Sequence, residues 1–197
     1  MSGMNFVGAD VGGFGSDATP ELFARWIQAG CFMPFFRDHC ALGGRPQEPW
    51  QFGEEVLSIS RKYINLRYAL LPYLDDLMRE TELTGIPMVR PLVLEYEEDE
   101  NARNRNDEFM LGDRMLIAPV VEQGARERMV YLPQGTWYDY WTGEKKEGKC
   151  FFVKEAPLDV CPVYVKAGAV IPKYPVRLHV GKDKDDLLIL EAYPGEG

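Results

Sequence analysis

Residues 5–14, NFVGADVGGF, carry an apolar run to an acid and then turn at once. In an extended chain Phe6, Gly8 and Asp10 share one face, and Val7, Ala9 and Val11 the other. Both faces stay largely apolar up to Asp10, the pattern of a parallel strand covered on both sides. Gly12 and Gly13 let the backbone turn sharply after it. A helix is expected next. Thr19 offers a capping hydroxyl, Pro20 suits the first helical position, and Glu21 complements the positive helix end. Leu22, Phe23, Trp26 and Ile27 then recur at helical spacing, with Gly30 as the expected stop. Residues 31–38, CFMPFFRD, read as a second strand: Phe35, Arg37 and His39 alternate to one side, Pro34, Phe36 and Asp38 to the other. Pro34 lacks a ladder donor, so irregularity is expected there. Strand, helix, strand predicts parallel βα units, where functional groups gather at the carboxyl ends of strands.

The loop 41–53, ALGGRPQEPWQFG, is long enough to cover the end of a sheet. A long helix is predicted from Glu54 to Thr81, with Val56, Ile59, Tyr63, Leu66, Leu70, Leu74 and Leu77 on one stripe. Pro72 should kink it near Tyr68, and Gly85 ends the helical region. After Gly85 short β-prone runs alternate with turn signals: MVRPLVLEY, EFMLG, RMLIAPVV, RMVYLP, TWYDYW, CFFVK, VYVKAGAVIP and LLILEAY. The turns fall at Gly112-Asp113, Pro133-Gln134-Gly135 and Thr142-Gly143. That texture predicts an antiparallel β-sandwich over residues 86–197, after an α/β part over 1–85.

At 46% hydrophobic residues the chain can build a sizeable core. No apolar run approaches the ~18–20 residues of a membrane span, and the N-terminus lacks the pattern of a secretory signal. A net charge of −9 disfavours nucleic-acid binding, which needs a basic footprint. Cys31, Cys40, Cys150 and Cys161 form no CxxC, and His39 and His179 are the only histidines, so neither a metal site nor any cofactor is expected. Free thiols in a reducing, cytoplasmic compartment are the simplest reading. Two βα units cannot bury a parallel strand pair unaided. The chain is therefore expected to be a piece of something longer, with exposed strand edges that invite self-association.

Two clusters carry candidate chemistry. Asp10 sits at the carboxyl end of the first strand; a site carboxylate and an acid that bonds its own turn amides are equally open readings. Arg37, Asp38 and His39 end the second strand, where an arginine can grip a carboxylate bidentately. Opposite strand faces make Asp10 and Asp38 a poor catalytic pair, and adjacent His39 and Cys40 a poor dyad. There is no GxGxxG, phosphate loop or GxSxG elbow. The run EYEEDENARNRNDE, residues 95–108, reads as a solvated loop rather than a calcium site. TWYDYW, residues 136–141, suggests a sugar-stacking platform, but an alternating core strand explains it better.

GADVGGFGSDATPELFARWIQAGCFMPFFRDH resembles a signature of glycoside hydrolase family 31, the α-glucosidase and α-xylosidase family. The resemblance runs on through QEPWQFGEEV, RKYINLRYALLPYLDDLM, RPLVLEY, GDRMLIAPVV, YLPQGTWYDYW and VYVKAGAVIP. It implies the last two βα units of a (β/α)8 TIM barrel followed by the proximal C-terminal β-sandwich. A whole barrel needs about 250 residues. It also implies a retaining α-glycosidase, most simply an α-glucosidase, acting on α-linked oligosaccharides, with both catalytic aspartates upstream and no catalytic residue among these positions. By the same resemblance Asp10 is a pocket aspartate, His39 bonds a sugar hydroxyl, Arg37 organises the carboxylates and Phe14 forms an apolar wall. RDH stands where the family often has RNH, and Cys40 where it often has Asn or Ser. The alternative reading is a non-catalytic, carbohydrate-binding or structural β-sandwich module.

Overall fold

The computed structural model describes residues 4–180 and 187–195. Strand β1 (Asp10–Val11) pairs in parallel with β2 (Arg37–Asp38), Asp10 opposite Arg37 and Val11 opposite Asp38. Both strands are shorter than the sequence predicts. Their contact still begins earlier, because the Phe35 N–H donates to the Val7 carbonyl and Gly8 lies so close to Phe35 that a side chain there would meet its carbonyl. What is missing is a second neighbour: one edge of β1 carries no strand among the described residues, and Met4 and Phe6 are exposed.

Between the strands runs α1 (Pro20–Gly30). The Thr19 hydroxyl caps it by accepting from the Leu22 N–H at 3.1 Å, with Pro20 in the first turn as expected. Gly30 ends α1 for a different reason from the expected one. It has no left-handed conformation; a β-carbon there would press on Phe36 and Val11, so its smallness lets β1, β2 and the helix meet. Residues 31–34 form a turn rather than the start of β2. Arg67 stabilises that turn by donating to the carbonyls of Cys31, Met33 and Pro34.

The predicted long helix is two: α2 (Glu54–Ala69) and α3 (Leu71–Thr84), after a 3₁₀ turn at Pro49–Phe52. The break falls at Leu70, which keeps near-helical dihedrals, φ −81 and ψ −1. Pro72 sits in the first turn of α3, where its missing N–H costs little. Gly85, in the left-handed conformation at φ 77, ends the helical region.

The second part opens with β3 (Val89–Arg90). The rest of MVRPLVLEY is not a strand: Leu92–Glu95 forms the short helix α4, begun at Pro91. Helix α5 (Glu100–Arg103) follows. Strands β4 (Phe109–Leu111), β5 (Met115–Ile117), β6 (Glu127–Leu132), β7 (Thr136–Asp139), β8 (Lys145–Glu147), β9 (Cys150–Glu155), β10 (Val163–Lys166), β11 (Val170–Lys173) and β12 (Ile189–Ala192) complete the chain. An antiparallel sheet of six runs in the order β3-β4-β5-β10-β7-β8, with β6-β9 and β11-β12 as separate ribbons.

Alternation assigns the two faces of the large sheet. Phe109, Leu111, Met115, Ile117, Val163 and Val165 join a core shared with α1, α2 and α3. Met110, Leu116 and Tyr164 point the other way, into a second core with Trp137, Leu92 and the β6 residues Val130 and Leu132. The β6-β9 ribbon thus forms the outer layer of the predicted sandwich. Trp137 is fully buried, with its indole N–H on the Pro133 carbonyl, and Trp141 donates to the Cys161 carbonyl. Both serve the core, not a stacking platform.

The predicted solvated loop 95–108 is partly a correction. Glu108 is fully buried, accepts from the Tyr131 N–H at 2.9 Å and lies 3.1 Å from Arg128, while Asp99 accepts from the Tyr131 hydroxyl. Buried arginines and tyrosines tie the two parts of the chain together. Arg25 of α1 donates to the carbonyls of Ala156, Val160 and Ala125 at 2.7, 2.9 and 3.1 Å. The Tyr63 hydroxyl accepts from the Cys161 N–H at 2.7 Å, and the Tyr73 hydroxyl donates to the Leu111 carbonyl at 2.7 Å.

Candidate functional site

The carboxyl ends of β1 and β2 bring together all four residues singled out in the sequence. Val11 turns into the core against α1, which leaves Asp10 on the other face of the pair. There the Arg37 Nε donates to the Asp10 Oδ1 at 2.5 Å. That hydrogen bond and the adjoining cationic charge hold the Asp10 carboxyl below its ordinary range. Gly12 and Gly13, at φ 85 and 96, carry the chain away, with the Gly13 N–H returning to the Asp10 carbonyl at 2.9 Å. The turn thus engages the main chain of Asp10. Its side chain goes to Arg37, so the reading of Asp10 as an acid bonded to its own turn amides gives way.

Phe14 follows the turn and His39 follows β2. Their rings lie 5.4 Å apart between centroids, tilted by 33°. The Ala41 N–H fixes the Phe14 backbone by donating to its carbonyl at 2.9 Å. Arg37, His39 and Phe14 are exposed, and Asp10 is half-buried. The rim thus presents a carboxylate, a guanidinium, an imidazole and an aromatic edge. Hydroxyl groups, which both donate and accept, match that set.

Asp38 points elsewhere. It lines a small hollow with Val11, Phe36, Pro49 and Ile64 on the helix side of the strand pair. Asp38 is itself exposed, and only the inner side of its carboxyl is desolvated there; with Glu48 nearby, this raises it to about 6. Asp10 and Asp38 therefore form no carboxylate pair, as alternation predicts. Among the described residues no group of three or more His, Cys, Asp or Glu is placed to hold a metal ion.

One residue of the site escapes sequence reasoning. Gln47, buried inside loop 41–53, directs its carboxamide N–H groups to the Gly13 carbonyl at 3.2 Å and the His39 carbonyl at 3.4 Å. It lies in an irregular stretch between two prolines, where neither spacing nor period marks it. Arg45 of the same loop donates its N–H to Asp17 at 2.9 Å and its side chain to the Ala18 carbonyl at 3.1 Å.

Comparison with known proteins identifies the two parts of the chain. Residues 1–77 match the glycosyl hydrolases family 31 TIM-barrel domain, and residues 85–171 the glycosyl hydrolase family 31 C-terminal domain. The chain is 48% identical over 171 residues to Alpha-glucosidase 2 of Bacillus thermoamyloliquefaciens, covering 87% of this chain and 22% of that protein. It is 38% identical over 202 residues to an alpha-xylosidase of Saccharolobus solfataricus, covering all of this chain and 27% of the relative. Among solved structures, the Flavobacterium johnsoniae GH31 dextranase complexed with glucose superposes with a TM-score of 0.93 at 41% identity, over 97% of this chain and 24% of that one. The chain thus spans about a quarter of the length of such proteins. With both of its parts matched in order, and the strand pair and six-stranded sheet folded as described, the chain belongs to glycosyl hydrolase family 31.

Proposed function

We propose that this chain contributes one side of the sugar pocket in a retaining α-glycosidase, an α-glucosidase in its simplest form, that cleaves terminal α-linked sugars from oligosaccharides. The observation that carries the reading is the rim itself: Asp10 bonded to Arg37, and His39 beside Phe14, at the ends of two consecutive parallel strands. In a barrel those ends face the mouth where substrate sits. Asp10 and His39 bond sugar hydroxyls, Arg37 keeps Asp10 ionised and oriented, and Phe14 forms the apolar wall. Such fixed partners contribute by orienting the sugar ring and by bonds that tighten as the oxocarbenium-like transition state forms.

The two carboxyl groups that a retaining mechanism needs stand about 5–5.5 Å apart. Asp10 and Asp38 face opposite sides of the strand pair, so neither serves as the partner of the other. The nucleophile and the acid/base are assigned to barrel strands that precede this segment in the whole protein. Similarity to an α-glucosidase and to an α-xylosidase leaves the hydroxymethyl preference to that upstream half of the pocket.

The test uses the full-length protein with aryl α-glucoside and aryl α-xyloside in parallel, and this 197-residue chain alone, shown folded by circular dichroism. The full protein should turn over the glucoside, and the chain alone neither. His39→Ala in the full protein should lower kcat/KM about 10- to 100-fold, the weight of a lost hydrogen bond to a charged or strongly polar partner. Turnover by the isolated chain, abolished by Asp10→Asn, would place the reacting carboxylates here and overturn the assignment.

A further inference from the structure

We propose that Gln47 is a positioning residue for the sugar-facing rim, a carboxamide latch that sets the spacing of Phe14 and His39. The inference rests on the pocket reading for its meaning, but the latch itself is a property of the unliganded chain.

Phe14 and His39 sit on different segments, one after each strand, and neither is held by a regular element. Gln47 bonds both segments by side chain, accepting neither charge nor solvent: it is 4% exposed, and its two N–H groups go to the carbonyls of Gly13 and His39. Those carbonyls belong to the residue before Phe14 and to His39 itself. Two acceptors fix the orientation of the amide, since turning it over would set oxygen against oxygen. The remaining Oε1 is buried without a partner and lies against Gly12, where a β-carbon would stand 2.5 Å from it. Gly12 therefore has two requirements, its positive φ and the room for this amide.

The chemistry excludes near substitutes. Glutamate has no N–H for either carbonyl and brings a buried charge. Methionine keeps the volume but leaves both carbonyls unpaired. Neighbouring bonds, Ala41 N–H to Phe14 and Arg45 to Asp17, anchor loop 41–53 to the first segment. Within it Gln47 reaches both segments through its side chain.

Isotope labelling of the 197-residue chain tests this by NMR without any sugar. With two histidines in the chain, His179→Gln assigns the His39 ring signal. In the wild type the Gln47 carboxamide protons should exchange slowly with solvent and show proximity to the Gly13 and His39 backbone. In Gln47→Met the His39 and Phe14 ring signals should move, while signals from the sheet residues stay in place. In the full-length protein the same substitution should raise KM for the aryl α-glucoside about tenfold. Freely exchanging carboxamide protons in the wild type would overturn the latch, and so would rim signals identical in the two chains. Should Gln47→Met fail to fold, the wild-type exchange measurement decides by itself. A latch present in a protein that turns over no glycoside would sink the pocket reading and leave the latch standing.

Discussion

Asp10 and Asp38 are one strand apart, yet the same alternation that separates their faces drives their acidities in opposite directions. Asp10 is held low, chiefly by the Arg37 hydrogen bond. Its contribution to stability is present above the ordinary carboxyl range of about 4 and is lost as pH falls through the depressed folded value. Arg37→Gln removes the main cause, so the Asp10 carboxyl carbon should titrate at higher pH than in wild type. An unchanged titration midpoint would mean that Arg37 does not hold the carboxylate in solution. Asp38 has the reverse sign. With its folded value raised to about 6, the folded state keeps a proton that the unfolded chain releases near pH ~4. Stability from this group therefore declines as pH rises between those values and levels off above them. Asp38→Asn removes the titration. Urea denaturation across pH 4 to 8 should show the variant gaining on wild type through that window, then holding a constant advantage. A parallel pair of curves would refute the desolvation of Asp38. The candidate residues were legible for the reason these two differ: period-two alternation, joined to the rule that strand ends carry function. Phe14 had no such signal and was found only through resemblance. Gln47 had none of either kind, because its role depends on a loop folding back over two segments.

At the level of elements, helix caps and sheet faces were legible, and boundaries were not. The Thr19 cap and the Gly85 stop stand where local chemistry puts them. The split at Leu70 falls two residues beyond the expected kink at Tyr68, because Pro72 starts a helix instead of bending one. Leu92–Glu95 has a strand-like composition but follows a proline and packs its Leu92 under the sheet as a helical turn. The acidic run misled most, since charge density usually marks a solvated face. Glu108 is the exception within it, joining α5 and β4 to β6 through Tyr131 and Arg128. Glu108→Ala leaves the buried Tyr131 N–H without its acceptor and Arg128 with one acid fewer. Burial raises the Glu108 carboxyl to about 7, so the secure part of the loss is the buried donor left unpaired, about 1–3 kcal/mol. Chemical denaturation measures it, with Glu98→Ala as an exposed control from the same run. A loss no larger than the control's would mean that the buried carboxylate is dispensable to the ribbon.

Across the whole molecule a continuous core joins α1, α2 and α3 to the inner face of the six-stranded sheet. The opposite flank is different. The open edge of β1 and the adjoining side of α1 present a hollow of about 250 Å³ lined by Met4, Val7, Trp26 and Met33. Beside it a larger one of about 430 Å³ is lined by Leu22, Trp26, Ala29, Val120 and Val121. Met4 and Leu22, which line the two hollows, are 64% and 44% exposed. A parallel strand with one bare edge and a helix with an uncovered apolar face are both sites where another chain can pair or pack. In a TIM barrel the preceding βα unit covers that flank. Produced alone, the 197-residue chain should therefore bind an apolar fluorescent dye while fully folded, and should associate with itself as concentration rises. Leu22→Lys places a charge in the larger hollow at an exposed helical position, where it should cost the fold little. It should reduce both dye binding and association, as read by fluorescence and analytical ultracentrifugation. A wild-type chain that stays monomeric and dark to the dye would show that the flank covers itself. Association untouched by Leu22→Lys would move the contact to another surface, the exposed Phe151 and Val153 side of the β6-β9 ribbon being the next to substitute.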